Sequence, residues 1–211
     1  MQNNTSKMVA LLGKIRKQMN GAMLDTFRYY GSNYGVNYGV ALHTLRDMAQ
    51  EIGIDHSLAS FLYLQQVREL RVIALWIADS NAVKSVDFDF WAKGIVNSEV
   101  AEQAAHALLC KITDINLLLD KWCSGENSLI AYSAHLAASR SSIVSFDAVQ
   151  RAVNKTVSSF PDNRLAAQGC VASLASQIPA NRAAIQDIIK NLPQSPTAEI
   201  IRDEISWRFE Y

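Results

Sequence analysis

Side chains suited to nucleophilic, acid–base or metal chemistry are sparse in this 211-residue chain, and none stands at a working spacing from a partner. His43, His56, His106 and His135 are scattered, with no HxxxH or His/carboxylate spacing that would hold a metal ion, so no metal is expected. Cys110, Cys123 and Cys170 are odd in number, far apart and in no CxxC arrangement. They read as buried thiols in a reducing compartment. No glycine-rich phosphate loop, nucleophile elbow or Cys–His pairing is present, and no cofactor is expected. Three tyrosines, Tyr30, Tyr34 and Tyr38, crowd one loop with Gly31, Asn33, Gly35 and Asn37. Their rings suit stacking on a base or sugar, and equally suit packing of that loop against the first helices.

The elements that position these residues are helices. Val40, Leu42, Leu45 and Ala49 recur near 3.6-residue spacing, as do Val67, Leu70, Ala74 and Ile77, which predicts helices over 39–52 and 67–78. Arg46, Asp47, Arg68, Glu69 and Arg71 fit the rims of these helices. A first helix is expected over 6–29, another over 57–64, and a short one capped by Asp87 or Asp89 ahead of Trp91. Beyond that point the chain is periodic. Asn97, Asn127 and Asn163, roughly 30 to 36 residues apart, each precede an alanine-rich helix, over 98–110, 128–138 and 164–176. Less alanine-rich helices over 114–123 and 145–158 alternate with them. Small residues on several faces let such a helix sit between layers.

Pro161, Pro179, Pro193 and Pro196 fall at expected boundaries, Pro161 and Pro196 in first-turn positions. The last helices then run over 180–191 and 197–209, the second capped by Ser195. Trp76, Trp91 and Trp122 lie at apolar-periodic positions and are expected in the core, with Trp207, Phe209 and Tyr211 closing the final layer. No strand signal occurs. The expected architecture is an all-α solenoid of about twelve helices stacked in pairs, one domain over residues 1–211.

Composition narrows the function. Hydrophobic residues make up 49% and charged residues 19%, with nine glycines and four prolines, which excludes a disordered chain. Twenty basic and twenty acidic residues give zero net charge, which argues against avid DNA binding yet leaves room for a local basic patch. No run approaches the roughly 20 apolar residues of a membrane span, so no membrane partner is expected. The first 24 residues carry Lys7, Lys14, Arg16 and Lys17 and no acid, as a transit peptide would. However, Met8, Leu11, Leu12, Ile15 and Met19 recur at helical spacing into Met23 and Phe27, which marks an amphipathic helix. The protein is expected in the cytoplasm.

The stretch Tyr38-Gly39-Val40 opening a helix with Leu45-Arg46-Asp47-Met48-Ala49, followed by Val67-Arg68-Glu69-Leu70-Arg71 and Ala74-Leu75, resembles the AlkD-type DNA alkylation repair proteins. The likeness covers residues 30–112 and continues as a pattern beyond them. It implies HEAT-like helix pairs that cradle duplex DNA on a concave basic face and excise cationic alkylpurines. Breaking that glycosidic bond calls for a carboxylate near the anomeric carbon, aromatic faces against the lesion or sugar, and Arg or Lys on the flanking phosphates. The family supplies them through Trp-Asp-x-x-Asp, Trp-x-Arg-Arg and Trp-before-Arg arrangements on three successive inner helices.

At the matching positions this chain has Ser98 and Glu102, then Ala131 and Tyr132, then Cys170, so that only a carboxylate is kept. The resemblance thus makes Glu102 the candidate catalytic residue and Tyr30 and Tyr38 candidate DNA contacts. Lys14, Arg16, Lys17, Arg46, Arg68 and Arg71 are the candidate phosphate contacts. It implies a DNA alkylation repair protein that binds duplex DNA with weak or absent base excision. The alternative is a non-catalytic HEAT-like scaffold that binds a protein partner.

Overall fold

The computed structural model describes residues 3–29 and 34–210. The three asparagines mark helix starts by capping them. Asn97 Oδ1 accepts the Val100 N–H at 3.0 Å, Asn127 Oδ1 accepts those of Leu129 and Ile130 at 3.0 and 3.4 Å, and Asn163 Oδ1 accepts that of Ala166 at 2.9 Å. Each satisfies first-turn donors that would otherwise lack partners, which is worth about 1 kcal/mol.

Among the described residues twelve α-helices follow in order: α1 Asn4–Lys17, α2 Gly21–Tyr29, α3 Leu42–Ile52, α4 His56–Tyr63, α5 Arg68–Ile77, α6 Phe88–Lys93, α7 Ser98–Gln103, α8 Ile115–Trp122, α9 Ser128–Arg140, α10 Phe146–Ser159, α11 Arg164–Asn191 and α12 Pro196–Glu210. Among the described residues there is no named strand, only an isolated parallel bridge between Val36 and Val67. Helices α3, α5, α7, α9, α11 and α12 pack each on the next as one row. A second row, α4, α6, α8 and α10, is joined through Tyr63 against Trp91, Phe88 against Trp122 and the contacts of α10 with α8, and it backs the first where α4 meets α5, α8 meets α9 and α10 meets α11. One continuous core of buried residues joins the rows from Leu11 to Ile205. The three alanine-rich helices are neighbours in the inner row, and their small side chains allow the approach. A Cβ on Gly169 of α11 would lie 3.2 Å from the Tyr132 Cα and the His135 Cβ of α9.

Ala104 is 1% exposed, at the point where α7 meets α9. Ala104→Leu is expected to lower stability by about 1–3 kcal/mol through overpacking, read as a lower urea midpoint.

Five details depart from the sequence expectation. The first helix breaks at Gln18–Asn20, because Asn20 caps α2 through the Met23 N–H at 3.2 Å while its own N–H donates to the Tyr38 carbonyl at 3.0 Å. This leaves Met19 exposed rather than turned inward. That crossing needs Gly39, whose φ is +70° and whose Cβ would fall 2.3 Å from the Asn20 carbonyl oxygen. Helix α7 does not run on regularly to residue 110. It widens into a π turn over Ala104–Leu108 and tightens into a 3-10 turn over Leu109–Lys111. Pro179 lies within α11, and the helix kinks two residues later at Asn181, φ −133° and ψ 28°, instead of stopping.

Pro161 belongs to the turn before α11, where its carbonyl accepts the Thr197 N–H at 3.0 Å, rather than to a first helical turn. Pro196 does open α12, with Ser195 Oγ accepting the Ala198 N–H at 3.2 Å. Trp207 is 58% exposed and does not close the last layer, Phe209 is half-buried, and Tyr211 lies outside the described residues. No helix among the described residues is long and apolar enough to cross a membrane.

Candidate nucleic-acid interface

A concavity opens across the inner row. Its volume is about 610 Å³, and its walls come from α3, α5, α7 with its π turn, and α9, together with the turn after α3. None of the lining belongs to the outer row, so the bay faces away from it. Arg46, Lys111 and Arg140 are exposed at its margin, and Trp76, Gln103 and His106 are half-buried in its wall. No carboxylate lines it among the described residues.

The indole of Trp76 is fixed on two sides. Its Nε1–H donates to Gln103 Oε1 at 3.2 Å, and the Arg46 guanidinium carbon lies 5.4 Å from the ring centroid, a cation–π arrangement. Burial, aided by the charge of Arg140, holds the His106 pKa below the usual imidazole range, so His106 is neutral at pH 7. His106 and Ala107 line this bay from within the π turn, and no feature of the sequence marks that turn.

Glu102 lies on the same helix as Gln103, half-buried, and its Oε1 accepts the Tyr132 hydroxyl at 3.2 Å. Burial first, and the Glu102 charge second, push the Tyr132 phenol up to about 12. The positions matched through family resemblance behave differently from one another. Ala131 and Cys170 are fully buried and face the core, so neither could contact DNA, while Ser98 is exposed in the first turn of α7. On α9 the residue that meets Glu102 is Tyr132.

Arg68 must be withdrawn from the phosphate-facing set. It is 1% exposed, with Nε and Nη2 donating to the two carboxylate oxygens of Glu99 at 2.8 and 2.5 Å. Nη1 donates to the Val40 carbonyl at 2.8 Å and to Glu69 Oε1 at 3.2 Å, and the Phe27 ring lies over the guanidinium at 4.4 Å. Tyr34 closes the cluster with its hydroxyl on Glu99, so it packs inside rather than offering a stacking face. Arg71 is half-buried and donates to the Gln65 carbonyl at 3.2 Å, tying down the α4–α5 turn.

Lys14, Arg16 and Lys17 are exposed on α1, where Lys14 pairs with Glu51 at 2.5 Å and Arg16 donates to the Tyr38 hydroxyl at 3.4 Å. Tyr38 is half-buried there, and Tyr30 lies outside the described residues. Of the basic candidates, only Arg46 reaches the bay. Sequence reading missed Trp76, His106, Lys111 and Arg140 as its companions, and Tyr132 as the partner of Glu102. Trp76 sits at an apolar-periodic position that ordinarily means core, and the other three carry no motif.

The two-row array of helix pairs is the HEAT-like repeat fold. A solved structure described as "a new family of proteins related to the HEAT-like repeat DNA glycosylases with affinity for branched DNA structures" superposes on this chain with a TM-score of 0.66, over 94% of each chain, at 17% sequence identity. No protein-family model matches the chain, and no curated protein matches it in sequence. At that identity the likeness establishes the fold.

Proposed function

We propose that the inner row is a DNA-binding surface, with Arg46, Lys111 and Arg140 as its phosphate contacts and with weak or absent base excision. The observation that carries this reading is the acid-free basic bay with its aromatic wall, set on the face that a HEAT-like array leaves open. The structural relative's described affinity for branched DNA supports it. Zero net charge is compatible, since the charge is unevenly placed: three cations and no carboxylate line the bay among the described residues. Lys14, Arg16 and Lys17 on α1 are exposed but lie outside the bay, and Lys14 is paired with Glu51.

Excision is weak on this reading because Glu102 stands without the aromatic and arginine companions that the chemistry calls for. Its carboxylate is hydrogen-bonded by a phenol, which stabilises the anion in the ground state rather than aiming it at a sugar. Each 1.4 kcal/mol of transition-state stabilisation lost is about tenfold in rate, so three absent groups cost several orders of magnitude.

Binding to plain, branched and alkylated duplexes across a salt series tests both parts. Three phosphate contacts give a slope of log K against log salt of about −3, and Arg140→Ala should reduce it by about 1. Single-turnover release of 3-methyladenine or 7-methylguanine should be slow or absent. Robust release abolished by Glu102→Gln would instead make Glu102 the catalytic carboxylate. Affinity unaffected by reversing all three charges would leave the protein-binding scaffold as the better reading.

A further inference from the structure

We infer that the bay holds one nucleotide displaced from the helical stack, its base stacked on the Arg46–Trp76 pair and its phosphate on Lys111 and Arg140. The inference rests on the DNA-binding reading of the inner face and adds a ligand to it. A row of phosphate contacts needs only a flat basic surface, whereas this site is a recess of about 610 Å³, within the range of small-ligand sites and roomy enough for a nucleotide unit.

Its wall offers flat π groups. The indole N–H of Trp76 is already spent on Gln103, so the ring presents no hydrogen-bonding edge that would select a particular base. The Arg46 guanidinium lies over that ring. A stacked arginine is weakly hydrated and planar, so it can extend the stack over an incoming base and still take a phosphate oxygen. His106 is neutral and half-buried beside them, so it can either accept or donate a hydrogen bond there without a charge to bury.

The chemistry recognised is therefore a phosphate-bearing nucleoside with little base preference. It is supplied by an unpaired nucleotide within a strand rather than by a free nucleotide, because Lys111 and Arg140 are exposed at the margin, where a continuing backbone can pass. An unpaired base costs least to displace, which fits a protein that reads irregular DNA.

Three duplexes test this: one uninterrupted, one with a single extrahelical thymidine, and one with an abasic tetrahydrofuran residue bulged at the same point. The abasic bulge controls for bending. The thymidine bulge should bind about ten- to a hundredfold more tightly than the abasic bulge. Trp76→Leu should make the two converge, and Trp76→Phe should keep them apart, with circular dichroism melts confirming folded variants. In the unaltered protein, 2-aminopurine at the bulge should lose fluorescence on binding as it stacks, a readout that needs no variant.

Equal affinity for the base-bearing and abasic bulges, or unchanged 2-aminopurine fluorescence on a bound duplex, overturns the inference and leaves DNA binding standing. No binding to any of the three removes the DNA-binding reading itself. Thymidine monophosphate competing as well as the bulged duplex makes the free nucleotide the ligand, and overturns the strand-borne assignment.

Discussion

Arg68→Ala should lower the unfolding free energy by about 3–5 kcal/mol, because it strands two carboxylates that the guanidinium now neutralises. Glu69 is 0% exposed, and its Oε1 already gathers the N–H groups of Tyr38 and Val40 at 3.0 and 3.3 Å. Without Arg68 its charge is buried with only those two dipoles for company. The loss also frees the Val40 carbonyl and the Glu99 side chain, so the strand of chain that carries Tyr34 and Tyr38 onto α5 loses its anchor. Urea denaturation followed by far-ultraviolet circular dichroism measures the change. Glu99→Ala should be milder, since Glu99 is partly exposed and its removal leaves Arg68 still paired with Glu69. Equal stability of Arg68→Ala and the unaltered protein would show that the cluster contributes nothing net.

Acid should destabilise the fold well before its carboxylates titrate, and His135 sets that slope. The ring is fully buried between α9, α10 and α11, with Nδ1 2.9 Å from Ser173 Oγ and Nε2 3.0 Å from Thr156 Oγ1. Each ring nitrogen of the neutral imidazole thus has a hydroxyl partner, and Ser173 Oγ also lies 3.1 Å from the Cys170 carbonyl. The thiols of Cys123 and Cys170 crowd Nε2 at 3.6 and 3.5 Å. Burial pushes the Cys123 thiol up to about 12, so neither sulfur brings a negative charge that could hold an imidazolium.

Burial depresses the His135 pKa from 6.5 to about 3. The unfolded chain therefore binds a proton that the folded chain refuses, and stability rises with pH between those two values. It is complete above the unfolded pKa and is lost as pH falls below it. From pH 6.5 to 4.5 this one group should remove about 2–3 kcal/mol. His106 adds a smaller slope of the same sign. Asp55 and Asp120, whose pKa values are lowered by hydrogen bonds from Lys7 and Arg151 respectively, contribute only at lower pH. His135→Gln should flatten most of the slope between pH 4.5 and 6.5, and a variant with the original slope would place its source elsewhere.

The sequence by itself determined the all-helical class and the order of the repeats, while the count of twelve agrees only because the first expected helix divides into α1 and α2 and two later ones merge into α11. Those features rest on short-range physics: 3.6-residue periodicity around Leu45 and Leu70, asparagine caps at 97, 127 and 163 that bond within three residues, and alanines small enough for a packed inner row. Resemblance over residues 30–112 pointed to the same fold that the superposition establishes. Only the tertiary structure decided which polar residues face outward. Arg46 and Arg68 look alike as rim arginines of neighbouring helices, yet one lies in the bay and the other is buried, because Glu99, 31 residues away, claims it. Trp76 reads as core by period, yet it is half-buried in the wall of the bay, held there by Gln103 from 27 residues away. His135 reads as one scattered histidine until three helices close around it with two hydroxyls and two thiols. Each of these outcomes depends on contacts between residues far apart in the chain, which a local pattern does not carry.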